Sequence, residues 1–233
     1  MSRLLAVSDI HGCFATFYEL IIKLVDLKRT DQLVLLGDYI DRGEQSREVI
    51  DFIIDLTEKG FDIIALRGNH EQMLLDAYHD QEELYLWLMN NGDTTLMSFG
   101  ISDIRDMKKK YLDFFSGLRF YHSIGDCFFV HAGFNDLLKD PLSDAYHMIW
   151  ECRPSYSSLF FDGKTIIHGH RPRQPDYVKQ LIRNRSQVIP IDTGCVYGPE
   201  SGYGYLSALD VNTRELISIP FLRCPSVDLT FDE

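Results

Sequence analysis

Cysteine is scarce and unpatterned. Five residues, at positions 13, 127, 152, 195 and 224, make an odd set without a C-x-x-C pair. That argues against a disulfide framework and fits the reduced thiols of a cytosol. Long apolar runs are missing too. No stretch approaches the length of a membrane span, and Asp9 interrupts any signal-like region near the N-terminus. Positive charge is in deficit: Lys plus Arg is 23 against 35 Asp plus Glu, a net charge of −12. Such a surface repels nucleic acid, which binds chiefly through phosphate neutralisation. Linker-like Pro/Gly/Ser segments and low-complexity tracts are also absent. The expectation is a soluble cytoplasmic protein without nucleic-acid or membrane partners, its residues 1–233 forming a single domain.

What the chain does have is a repeated junction. Six times a short apolar run ends in a cluster of Asp, His, Asn, Thr or Gly. The runs Leu4–Val7, Leu33–Leu36 and Ile63–Leu66 lead into Asp9-Ile10-His11-Gly12, Gly37-Asp38-Tyr39-Ile40-Asp41-Arg42-Gly43 and Gly68-Asn69-His70-Glu71. Phe128–Val130, Ile166–Ile167 and Val188–Ile191 lead into His131-Ala132-Gly133, His168-Gly169-His170 and Asp192-Thr193-Gly194. Short apolar runs bounded by turn residues read as buried strands. Ligands of α/β sheets bind outside the carboxyl ends of strands, so these polar groups are expected on one rim. The first three junctions recur at about the length of a βαβ unit.

Between the junctions lie helical patterns. Ala15 to Leu27 carries Phe17, Leu20, Ile21, Leu24 and Leu27 on one face; Ser46 to Lys59 does the same with Val49, Ile50, Ile53, Ile54 and Leu56. Ser46 is expected to cap the second helix, and Gly60 stands where a stop belongs. From about 71 to 118 helix formers replace strands, which predicts a helical insertion beside the sheet. Within it Trp87, Tyr78 and Tyr85 read as packing residues. Tyr205 to Val211 and Glu215 to Ile219 read as a hairpin, and the acidic segment from Arg223 to Glu233 as a partly mobile tail.

The chemistry lies in Asp9, His11, Asp38, Asn69, His131 and His170. Carboxylate, imidazole and amide donors without thiolate suit a divalent ion such as Mn²⁺, Fe or Zn²⁺. Six donors exceed one tetrahedral site, so two ions sharing a carboxylate fit better, with Asp38 as the bridge. Such a pair clamps a phosphate and activates water for in-line attack. His70 and Asp41 each stand beside one of these donors. An imidazole oriented by a carboxylate is a candidate general acid for a leaving oxygen. Arg42 offers a planar fork to two phosphate oxygens.

These motifs resemble the phosphoprotein phosphatase branch of the calcineurin-like metallophosphoesterases. The resemblance is carried by D-I-H-G from Asp9, G-D-Y-I-D-R-G from Gly37, G-N-H-E from Gly68, H-A-G from His131 and G-H from Gly169. It is strongest to the small bacterial and bacteriophage lambda type. Gly68 to Met73 and Trp87…Asn90-Asn91-Gly92 are similar to that group as well. The resemblance implies an α/β fold in which a two-sheet sandwich is flanked by helices. It implies one ion on Asp9, His11 and Asp38 and another on Asp38, Asn69, His131 and His170. His70 with Asp41 would form the acid pair, and Arg42 and Asn69 would contact substrate.

Two positions depart from the resemblance. A second phosphate-binding Arg is expected two residues after a Trp. Here Trp150 is followed by Glu151, Cys152 and Arg153, so Arg153 is the carry-over, one position late. Nuclease and cyclic-nucleotide branches have a G-H-x-H ending, but Pro172 stands at its last position. That favours the phosphatase branch. His168 then reads as structural, Arg171 and Arg173 as turn-exposed residues near substrate, and Cys13 and Cys195 as small buried residues.

The combined expectation is a metal-dependent phosphomonoesterase with two divalent ions, foremost Mn²⁺. It would hydrolyse phosphoserine or phosphothreonine in protein, or a small phosphate ester, by direct attack of metal-bound water. Two alternatives stay open: a diadenosine polyphosphate hydrolase of the same superfamily, and a non-catalytic phosphoprotein-binding module. The second sits poorly with a complete ligand set and acid pair.

Overall fold

A computed structural model describes residues 2–223. The tail from Cys224 to Glu233, where mobility was expected, lies outside them. Two sheets form the frame. One has five strands in the order β3-β2-β1-β8-β9, and the other four in the order β4-β5-β6-β7. The strands are β1 Leu4–Val7, β2 Gln32–Leu35, β3 Asp62–Ala65, β4 Tyr121–Ile124, β5 Cys127–Val130, β6 Thr165–His168, β7 Val188–Pro190, β8 Tyr205–Asp210 and β9 Glu215–Pro220. β1, β2 and β3 run parallel, as do β5, β6 and β7. β8 and β9 form the expected antiparallel hairpin.

The continuous apolar runs are explained by burial on both faces. Side chains alternate across a strand. In the first sheet Leu5, Val7, Leu33 and Leu35 face the helices, packing with Phe17, Leu20, Ile21, Val49, Ile50 and Ile53. Ala6, Val34, Leu36, Ile64 and Leu66 face the second sheet and meet Phe129, Ile167, Ile189 and Ile191 between the layers. On the far side Phe128, Val130, Ile166 and Val188 pack with Phe134, Met148, Tyr156 and Phe161. The two-sheet sandwich flanked by helices is therefore present, with one difference in its coverage. The outer face of the second sheet is covered largely by the connection between β5 and β6, whose longest helix is α7, Ala145–Trp150.

The other helices are α1 Phe14–Tyr18, α2 Ser46–Glu58, α3 Asn69–His79, α4 Gln81–Met89, α5 Gly92–Phe99, α6 Lys109–Gly117 and α8 Pro175–Arg183. α1 continues through a π-helical turn, Glu19–Leu24, closed by a bond from Val25 N–H to Leu20 O at 2.8 Å. The predicted helix to Leu27 thus ends earlier and wider. Ser46 is not a cap. Gln45 holds that position, while the Ser46 hydroxyl accepts the Asp41 N–H at 3.2 Å. α3 to α6 lie in the stretch predicted as a helical insertion.

Before β1, Arg3 ties the sheet to the α1–β2 connection. Its Nε bonds Asp31 at 3.2 Å and its Nη1 reaches Val25 O at 2.9 Å. Burial raises the Asp31 carboxyl, but bonds from the Arg3 side chain and from the N–H groups of Lys28 and Arg3 outweigh it, so its pKa is lowered. A depressed folded-state pKa stabilises above the unfolded value of about 3.9 and is lost as pH falls through the folded one. Asp31→Asn should destabilise by about 1–3 kcal/mol at pH 7. Urea melts at pH 7 and at about pH 3 should show the gap narrowing in acid, because the asparagine does not titrate; an unchanged gap would contradict the ion-pair account.

Candidate dinuclear metal centre

The carboxyl ends of β1, β2, β3, β5 and β6 deliver their loops to one rim. The first two loops are zipped together by backbone: Ile10 and His11 N–H both donate to Asp38 O at 2.9 Å, and Gly12 N–H donates to Tyr39 O at 2.8 Å. Glu71, fully buried, accepts the N–H groups of Tyr39 at 2.7 Å and of Asp38 and Gly68 at 2.9 Å. It joins the second loop to the third. Burial pushes its carboxyl up to about 7, against the pull of those three donors. The close approach is possible only because residue 68 is glycine; a Cβ there would lie 2.1 Å from Asp38 Oδ1. Among the described residues, five of the nine non-glycine residues with positive φ are His11, Asp38, Asp41, Arg42 and His170. Strained backbone is thus concentrated at this rim.

The donor atoms converge. His11 Nδ1 is engaged by Ile40 O at 2.8 Å and His131 Nδ1 by Leu36 O at 2.9 Å. A backbone carbonyl can only accept, so each Nδ1 carries the proton and each Nε2 presents its lone pair to the rim. His131 Nε2, His170 Nδ1 and Asn69 Oδ1 lie 3.0–3.1 Å from one another. Asp38 Oδ2 is 3.5 Å from both His11 Nε2 and His131 Nε2. Donors about 2.1 Å from an ion and 90–110° apart are separated by about 3.0–3.4 Å. The residues therefore fit divalent ions. Two donor groups emerge, His11–Asp38–His70 and Asp38–His131–His170, with Asp38 common to both.

Asp9 departs from the expected arrangement. Both its oxygens accept His170 N–H at 3.1 Å, and Ser8 Oγ also bonds it; the tight cluster of donor atoms around Asp38 and His11 contains His70 and not Asp9. Even so, Asp9 is buried between the β1 and β6 loops, where a Cβ on Gly169 would meet it at 2.2 Å. We assign His70 to the acid pair nonetheless, because its Nδ1 is held 2.7 Å from Asp41 Oδ2.

Electrostatics make the same case. Burial, then the charge of Asp9, pushes the carboxyls of Asp38 and Asp192 well above the ordinary range. Burial also drives the imidazoles down, His11 far below its usual value and His170 to about 3. The histidines are thus neutral lone-pair donors. The carboxylates are crowded without enough positive charge, and divalent cations would supply what is missing.

The acid pair has supports that sequence reasoning missed. Trp87 Nε1–H donates to Asp41 Oδ2 at 2.9 Å, and Thr95 Oγ1–H to Asp41 Oδ1 at 2.6 Å. Thr95 Oγ1 accepts the Asp41 N–H in turn at 2.9 Å. Trp87 is completely buried, so its expected packing role is only half its work. Its indole lies flat against Gly92, where a Cβ would come within 2.4 Å. The helical segment therefore reaches the site through α4 and α5. No pattern of spacing in the sequence connects Trp87 or Thr95 to Asp41; the available signal was the resemblance at Trp87…Asn90-Asn91-Gly92.

Arg42 Nη1 stands 2.8 Å from His11 Nε2 and 3.3 Å from the Tyr197 hydroxyl, its guanidinium over the Tyr197 ring. Arg153 is a correction. It pairs with Asp136 at 2.9 Å and lines the cavity beside the β6–α8 loop, and no hydrogen bond or ion pair among the described residues joins it to the centre. One position later than the resemblance expects, its guanidinium is captured by the Asp136 carboxylate. His168, as expected, is a buried strand-end residue, its Nδ1 2.9 Å from Gly169 O. Cys13 and Cys195 are buried as well.

The sequence matches the calcineurin-like phosphoesterase profile over residues 2–209. The chain belongs to that family. The family works with a dinuclear divalent-metal centre, and this chain has His/Asp groups of the kind that could hold one. Serine/threonine-protein phosphatase 1 of Salmonella typhimurium is 40% identical over 87 residues, 37% of this chain and 38% of that protein. The asymmetrical bis(5'-nucleosyl)-tetraphosphatase of Bacillus subtilis is 26% identical over 241 residues, 92% of this chain and 93% of that protein. Among solved structures, one assigned provisionally as a diadenosine tetraphosphatase has a TM-score of 0.67 at 22% identity, covering 96% of this chain and 95% of that one. A yeast protein serine/threonine phosphatase has a TM-score of 0.62 at 15% identity, covering 97% and 82%. These structural likenesses speak to the fold. No helix among the described residues is long and apolar enough to cross a membrane.

Trp87→Phe removes one donor to Asp41 while keeping an aromatic ring in the core. Metal content should stay unchanged by elemental analysis. The rate constant kcat for an alkyl phosphate should fall about tenfold, more than for an aryl phosphate, whose leaving group needs less protonation. Equal losses on the two substrates would remove Trp87 from the acid pair's support.

Proposed function

We propose that this metallophosphoesterase is a phosphomonoesterase acting on phosphoserine and phosphothreonine in proteins or on small phosphate esters. The observation that carries this reading is the juxtaposition of three parts. They are the Asp38–His131–His170 donor group with His11 on the other side of Asp38, the His70–Asp41 pair beside them, and the Arg42 guanidinium at His11. Two divalent ions, foremost Mn²⁺ given donors without thiolate, would polarise the phosphate and lower the pKa of water there. Arg42 binds non-bridging phosphate oxygens through its planar fork, and a terminal phosphate has more of these free than a diester. The Asn69 side-chain N–H₂ is a further donor for phosphate, since its Oδ1 faces the histidines. Water attacks phosphorus in line, and the P–O bond to the leaving group breaks as His70 Nε2 gives that oxygen its proton.

Burial and the charge of Arg42 hold the His70 pKa down to about 3. Asp41, 2.7 Å from Nδ1, is the group that favours the imidazolium against those two effects.

A second reading is hydrolysis of a dinucleotide polyphosphate, which uses the same centre on an anhydride. It is favoured by the tetraphosphatases aligning over 92% of this chain, whereas the protein phosphatase aligns over 37%.

One preparation assayed with Mn²⁺ decides between them. The substrates are p-nitrophenyl phosphate, bis-p-nitrophenyl phosphate, a phosphothreonine peptide and diadenosine tetraphosphate. The first reading expects both monoesters to exceed the diester in kcat/KM, and Arg42→Ala to reduce monoester turnover the most. Activity should disappear with chelator. Preference for the diester would sink both readings, and a wide margin for the dinucleotide would establish the second.

A further inference from the structure

We propose that the cavity beside the β6–α8 loop is a binding subsite for the nucleoside-phosphate portion of a substrate whose reacting phosphate sits at the metal centre. The cavity has a volume of about 510 Å³. That is within the range of small-molecule sites and far more than a lone phosphate fills. Arg153, Arg171 and Arg173 line it, and no carboxylate does. In a chain with 35 Asp and Glu against 23 Lys and Arg, that local composition is the reverse of the whole.

The arginines differ in availability. Arg153 is taken by Asp136. Arg171 and Arg173 make no ion pair among the described residues, and the one side-chain hydrogen bond of either is a 3.4 Å contact from Arg173 to Pro172 O. Their backbone is nonetheless fixed. Arg171 N–H donates to Gly169 O at 2.8 Å, and Arg173 N–H to Asp192 O at 2.9 Å. Two guanidiniums without an ion pair, carried on a backbone that is ordered before binding, are available to an anion.

The rest of the lining selects the ligand. Tyr177, Leu181, Val188 and Pro190 give the cavity an aromatic and aliphatic wall. An anion with a flat, weakly polar body matches that pairing, whereas an acidic peptide would leave the wall unused. The lining includes His168 and Arg171, which flank the Gly169–His170 step, so the cavity abuts the loop that carries a centre residue. A polyphosphate chain engaged at the centre can therefore run to Arg171 and Arg173 and seat its nucleoside against Tyr177. The inference rests on the dinucleotide reading above for its substrate, but the binding it asserts is measurable without turnover.

The test compares the metal-loaded protein with the Arg171→Ala/Arg173→Ala double variant, after thermal melts establish that both are folded. Calorimetric titration with ADP should show affinity falling about tenfold or more in the variant. KM for diadenosine tetraphosphate should rise by a similar factor with kcat little altered, and the loss should exceed that for p-nitrophenyl phosphate. Unchanged ADP affinity, or equal losses on both substrates, would overturn the subsite. Pyrophosphate or an acidic peptide binding as tightly as ADP would overturn the nucleotide assignment. If the wild type does not cleave the dinucleotide, that substrate reading fails, and the ADP titration alone decides the subsite.

Discussion

The rim is organised around negative charge that the fold buries without neutralising. Asp38 is the focus. Its backbone carbonyl accepts two N–H groups from the first loop, its own N–H is held by Glu71, and its carboxylate faces histidines from two other segments. Burial pushes that carboxyl well above its ordinary range. Placing a carboxylate there is unfavourable unless cations balance it, and neutral imidazole lone pairs aimed at the same space supply the remaining donors. Metal binding and the stability of the rim are therefore one problem, because ions that bind only the folded chain stabilise it.

The same constraint explains the distribution of backbone strain. A short loop at a strand end must aim a carboxylate or imidazole inward while leaving room for a neighbouring loop. His11, Asp38, Asp41, Arg42 and His170 meet that demand with positive φ, and Gly68 and Gly169 by having no Cβ. The two packed sheets and the Glu71 carboxylate hold these conformations in place. Around this rigid core the helical segment contributes through Trp87 and Thr95, which keep Asp41 aimed at His70. A region that looks peripheral in sequence thus orients the group assigned to protonation.

Much of this was legible from residue order. Apolar runs ending in Asp, His and Asn gave the strands and their shared rim, because period-2 burial on two faces leaves a plain signature. The hairpin at β8–β9 and the helix over Ser46–Glu58 followed from the same periodic logic. What stayed hidden depends on distances across the chain. Trp87 meets Asp41 from 46 residues away, and nothing local distinguishes that indole from a packing residue. Ser46 looked like a helix cap, but its hydroxyl serves the Asp41 loop one turn before the helix proper. Arg153 failed for a different reason. It stands one position later than the resemblance expects, and the carboxylate that captured it, Asp136, is 17 positions upstream.

The central claim is that one carboxylate, Asp38, joins two ions into a coupled pair. Electron paramagnetic resonance of the protein titrated with Mn²⁺ reads this directly. The account predicts that at two equivalents the six-line signal of isolated Mn²⁺ gives way to the broadened multiline spectrum of an exchange-coupled pair, and that Asp38→Asn restores the isolated signal. A spectrum of uncoupled ions at full occupancy, or saturation at one equivalent, would contradict it.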